Sequence, residues 1–128
     1  MSNSPLSFRV ATTLAAYRIV GISAANTVAY PANGLVLPIG ITDNDVLDTT
    51  SSIPVHGPGS IAKCFFSDTV SAAGLVAGDT AGKGTPFTLA DTTTALTLAN
   101  AYVGILVDAT ATAGAIVNVY VMPGFDRV

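Results

Sequence analysis

Short apolar runs alternate with turn-forming residues along most of this chain. The runs are Tyr17 to Ile22, Thr27 to Tyr30, Leu35 to Thr42, Ile53 to His56, Ile61 to Phe66, Pro86 to Leu89, Tyr102 to Val107 and Ala115 to Met122. Between them lie Pro31-Ala32-Asn33-Gly34, Gly57-Pro58-Gly59 and Gly82-Lys83-Gly84. These supply fixed φ, positive φ or local side-chain to backbone hydrogen bonds. The stretch Tyr102 to Phe125 shows the pattern best: two β-branched runs joined by small residues and stopped by Pro123-Gly124. Strands this short and this closely spaced predict an all-β fold, a small antiparallel β-barrel or β-sandwich.

Side chains alternate across a strand, so the runs can be read for faces. In the run from Ile61, one face carries Ile61, Lys63 and Phe65 and the other Ala62, Cys64 and Phe66. In the last run Val117, Val119 and Val121 share a face, and Ile116, Asn118, Tyr120 and Met122 share the other. Both faces there are largely apolar, which predicts burial on both sides. Leu89 to Ala101 is the best helix candidate. Its three consecutive threonines have restricted χ1, so the expectation is a loop with at most a short helix near 89–101. The division expected is an extended N-terminal arm at 1–13, one β domain at 14–124 and a tail at 125–128. The arm is polar at first, contains Pro5, and brings Phe8 and Val10 before any clear pattern begins; it is expected to dock on something.

Half of the 128 residues are hydrophobic and only 10% are charged. With roughly 25% usual in a soluble domain, such a surface is poorly defended against association. Mean hydropathy is +0.59, yet no run approaches the ~20 apolar residues of a spanning helix. The N-terminus lacks a basic region followed by an apolar one, so the expectation is a soluble, unexported product with no membrane partner. The net charge of −3, with Arg9, Arg18, Lys63, Lys83 and Arg127 scattered singly, argues against direct nucleic-acid binding. The single cysteine, Cys64, leaves no internal disulfide.

Candidate chemistry is thin. Asp43-Asn44-Asp45 with Asp48 has the start of a calcium loop, but Leu47 and Pro54 stand where oxygen ligands are needed, so a solvated turn is expected. Ala77 to Thr85 looks like a phosphate loop, except that Ala77 replaces the first glycine and Gly84 the Ser or Thr; a hairpin turn is expected. Gly21-Ile22-Ser23-Ala24-Ala25 is a degraded nucleophile elbow followed by Asp48 and His56, on a chain too short and helix-poor for a hydrolase sheet. His56 is the only histidine, so no histidine cluster can hold zinc or iron. Cys64 reads as a small buried hydrophobe. With no Trp and four Tyr, the chain has little for a sugar platform. No catalytic, cofactor or metal residues are assigned, and the chain is expected not to be an enzyme.

The order Ala16-Tyr17-Arg18-Ile19-Val20, Pro38-Ile39-Gly40-Ile41-Thr42, Ile53-Pro54-Val55 leading into Gly59-Ser60-Ile61-Ala62, Val70 to Asp79, Tyr102-Val103-Gly104-Ile105 and Ala113-Gly114-Ala115-Ile116-Val117 resembles the small capsid cement, or head decoration, proteins of tailed bacteriophages. The resemblance covers residues 14 to 124 in order. It implies a structural virion protein, made in the host cytoplasm, that binds the outer surface of the major capsid protein lattice in hundreds of copies and stabilises the mature head. It implies homotrimers first and dimers second. The residues expected to touch capsid or sister subunit lie in the terminal segments: Asn3, Pro5, Phe8, Arg9, Phe125 and Arg127. The alternative is a tail- or fibre-associated binding module of lectin-like type.

Overall fold

The computed structural model describes residues 6–10, 12–31, 38–45, 52–87 and 101–125. They form β1 (Leu6–Val10), β2 (Ile19–Ala24), β3 (Thr27–Ala29), β4 (Pro38–Thr42), β5 (Ser52–His56), β6 (Ile61–Phe65), β7 (Leu75–Gly78), β8 (Gly84–Pro86), β9 (Ala101–Leu106) and β10 (Ile116–Phe125). The all-β expectation holds, and no helix occurs among the described residues. The helix candidate at 89–101 lies outside them up to residue 100, and Ala101 opens β9.

β1-β3-β2-β4-β5 close into a barrel, and β6-β10-β9-β7-β8 form a second five-stranded sheet. The two are one topology used twice. A shift of 56 residues carries β1, β2 and β3 onto β6, β7 and β8, and a shift of 64 carries β4 and β5 onto β9 and β10. Pairings survive residue for residue: Leu6 opposite Val55 becomes Ala62 opposite Val119, and Phe8 opposite Ile53 becomes Cys64 opposite Val117. Likewise Ile19 opposite Ile41 becomes Leu75 opposite Ile105, and Val20 opposite Gly40 becomes Val76 opposite Gly104. Even the parallel contact of Val10 with Val28 returns, as the isolated bridge between Phe66 and Gly84.

Backbone details repeat with the pairings. Tyr17 and Asn26 hold φ of 60° and 54°, and 56 residues on Ala73 and Gly82 hold 61° and 75°. A Cβ on Gly40 would strike the His56 carbonyl oxygen, and one on Gly104 would strike that of Tyr120. Both glycines are therefore required by strand approach.

Each unit has its own core. The first packs Val10, Leu14, Val20, Val28, Ile53 and Val55, with Phe8, Tyr30 and Ile39 at its margin. The second packs Cys64, Phe66, Val70, Val76, Val103 and Val119, among others. Where the first fills its centre with the Val10 and Val28 pair, the second uses Phe66 against Gly84, whose absent side chain leaves room for the ring. Ile19 and Ile41 of the first unit belong to the second core.

Within the stretch expected as a docking N-terminal arm, Leu6–Val10 forms a strand that pairs with the chain's own β3 and β5. Phe8 and Val10 point inward and Ser7 and Arg9 outward, a period of two that suits a half-buried strand. β1 runs antiparallel to β5 and parallel to β3. β7 also lies outside the predicted runs, because Leu75–Gly78 is four residues of mostly small side chains. The expected two-sided burial of the last strand is corrected: Val119 and Val121 are buried, whereas Ile116, Tyr120 and Met122 are 46%, 41% and 36% exposed. Only one face of β10 has a core to pack against.

Candidate interaction surface

The seam where each unit's first and third strands meet is built differently in the two. In the first unit the Arg9 N–H donates to the Asn26 carbonyl oxygen at 2.8 Å, closing the barrel. The matching positions in the second are Phe65 and Gly82, and there the segment Tyr17–Ile19 is interposed. The Phe65 N–H donates to the Tyr17 carbonyl at 2.9 Å, and the Ile19 N–H donates to the Gly82 carbonyl at 2.6 Å. One hydrogen bond has become two, with part of the first unit set into the wall of the second.

Charged side chains gather round this junction. The Arg18 guanidinium lies 5.1 Å from the centre of the Phe65 ring and the Lys83 ammonium 5.4 Å, a cation–π arrangement. Arg18 Nη1 also donates to the Ala81 carbonyl at 3.1 Å. Asp79 shapes the turn between β7 and β8: its Oδ1 accepts from the N–H groups of Ala81 and Lys83, each at 2.9 Å. The segment with phosphate-loop character is thus a hairpin organised by a carboxylate, which would repel an anion.

The other sequence candidates do not converge. Asp45 Oδ1 accepts from the Ala16 N–H, so its carboxylate ties β4 to the chain before β2. His56 Nε2 stands 3.6 Å from Asp43 Oδ2. Ser23 lies within β2, away from any strand-to-helix turn, and Asp48 is outside the described residues. Cys64 is buried, and burial pushes its thiol up to about 12, far from the range of a nucleophile. No group of three or more metal-ligating side chains occurs among the described residues, and no helix there is long and apolar enough to cross a membrane.

Of the expected contact residues, Phe8 packs at the margin of the first core and Arg9 is exposed beside the seam. Phe125 ends β10 opposite Ala101. Asn3, Pro5 and Arg127 lie outside the described residues.

What the structure does assemble is an outward apolar face on the second unit. Ile61, Tyr120, Ile105 and Leu75 stand in register on four adjacent strands, β6, β10, β9 and β7. Ile61 is 59% exposed, and Ile116 and Met122 extend the patch along β10. Isolated exposed hydrophobics need no explanation, but a contiguous row of this kind marks a contact surface. No signal in the sequence singles this face out, because both faces of the last run are largely apolar.

No protein-family model matches the chain, and none of the curated proteins is significantly similar to it. In fold it is similar to the crystal structure of the head fiber gp8.5 N base in bacteriophage phi29. The TM-score is 0.64 with 15% identity, over 91% of this chain and 92% of that one. The two-unit architecture therefore exists in a protein of the phage head.

Proposed function

We propose that this chain is a structural protein of a tailed-phage head that binds the outer surface of the major capsid protein lattice and stabilises the mature shell. The observation that carries this reading is the fold, shared along nine-tenths of both chains with the base of a phage head fibre. We assign the β6–β10 part of the apolar face, with Ile61, Ile116, Tyr120 and Met122, to the shell. A contact of ~800 Å² per partner is ordinary for a specific complex, about an eighth of the 6423 Å² surface of the chain. Sparse charge lowers the desolvation cost of such a contact.

The test is the copy number of the chain relative to the most abundant shell protein in purified particles, read by quantitative mass spectrometry. A ratio near one is expected. A few copies per particle would instead favour a fibre-base role, to which the fold neighbour lends its own support. Particles lacking the chain that withstand heat and low salt as well as complete ones would overturn the stabilising role.

A further inference from the structure

Ile19 and Ile41 face out of the first unit, yet both are 0% exposed because the second unit covers them. The residues in register with them on the second unit are Leu75 and Ile105, which are only partly buried. Inside the chain, then, this face is covered by a five-stranded unit of the same fold. Its counterpart on β7 and β9 is without such a cover among the described residues.

We propose that a second copy of this chain covers Leu75 and Ile105, and that its first barrel opens between Arg9 and Asn26 to receive Ala73–Leu75, as the wall at Phe65 and Gly82 receives Tyr17–Ile19. Three correspondences carry this. Tyr17 and Ala73 share a left-handed φ that turns the chain into β2 and β7. The bond from the Thr42 N–H to the Arg18 carbonyl recurs as that from the Leu106 N–H to the Gly74 carbonyl, so the two inserting segments are braced alike. The receiving positions Arg9 and Asn26 match Phe65 and Gly82. The exchange is favourable in number: the Arg9 to Asn26 bond is lost. Two are gained, from the second copy's Arg9 N–H to the Ala73 carbonyl and from the Leu75 N–H to the second copy's Asn26 carbonyl. The parallel contact of Val10 with Val28 stays, as that of Phe66 with Gly84 does beside the inserted segment.

Such a contact is head-to-tail, so copies close into a ring or continue as a filament. A ring of three would present six five-stranded units in near-equivalent positions. Shell binding by β6 and β10 is separate from this contact, and assembly is expected in the absence of any shell.

Sedimentation of the full chain, purified without capsids, is expected to give a multiple of 12.9 kDa. Leu75→Glu is expected to reduce the mass to that of one chain with the circular dichroism retained. A variant carrying Arg9→Cys and Thr27→Cys, which are register partners across the seam, locks it shut when oxidised. That protein is expected to be monomeric oxidised and assembled when reduced. Mixing the oxidised locked form with Leu75→Glu is expected to give one-to-one pairs, since each retains the surface the other lacks. A wild-type monomer at every concentration, a locked protein that assembles like wild type, or no pairing in the mixture would each overturn the proposal.

Discussion

On the first barrel the outward positions of β1 and β5 are Ser7, Arg9, Ser52, Pro54 and His56. On the second unit the same positions of β6 and β10 are Lys63, Phe65, Ile116, Asn118 and Tyr120. Strand pairing, strand approach at glycine and turn conformation agree between the two, so the backbone makes no demand that these side chains be apolar. The first unit shows that polar residues serve there equally well. The aromatic and aliphatic row is thus confined to one unit, and it is the surface to which we assign the proposed contact.

The comparison can be broken hardest in the cores. Gly84→Val would drive a side chain into the Phe66 ring and is expected to cost about 3 kcal/mol, while Phe66→Ala should cost about 4 kcal/mol through the cavity it leaves. The double variant Phe66→Val with Gly84→Val installs the first barrel's own pair. It should recover most of the loss in urea melts, and full additivity of the two losses would show that the units are not interchangeable. Next come Gly104→Ala and Gly40→Ala, each expected to cost about 2 kcal/mol because each Cβ meets a carbonyl oxygen. A large difference between them would break the equivalence.

Alkali should separate the units, because only the second buries a thiol. The folded Cys64 titrates near 12 and the unfolded one near 9.0, so above pH 9 the unfolded chain ionises first. Stability is expected to fall by about 1.4 kcal/mol per pH unit between 9 and 12. Cys64→Ala should flatten that slope in denaturation curves taken across the range. Ala73→Gly, relieving a non-glycine residue at φ 61°, should add about 1 kcal/mol. The smallest effect on folding belongs to Tyr120→Glu, within about 0.5 kcal/mol for an exposed side chain. It should nonetheless lower occupancy on particles, and unchanged occupancy would remove β10 from the shell contact.

Much of this architecture was legible in residues. Gly57-Pro58-Gly59 announces a turn, and Gly59 takes φ of 90° there. Alternation along Ile61 to Phe66 puts Ala62, Cys64 and Phe66 on one face, and all three are buried. Leu6–Val10 reads as part of an arm because its partners, Ser52 to Val55 and Thr27 to Val28, are distant in sequence and no local signal records them. The duplication was missed for a related reason. Ile39-Gly40-Ile41 and Val103-Gly104-Ile105 are alike, but Val10 facing Val28 and Phe66 facing Gly84 conserve volume as a pair and not position by position. The surface was harder still, since an apolar residue on a strand carries no mark of which side will meet water.

The segment Tyr17–Ile19 also bears on synthesis, because it precedes in sequence the wall that it completes. A nascent chain that has emerged as far as His56 holds every strand of a closed barrel. The second half, by contrast, has a gap in its wall that only the first half fills. Vectorial synthesis therefore makes the piece that completes the second wall available before the wall itself has emerged.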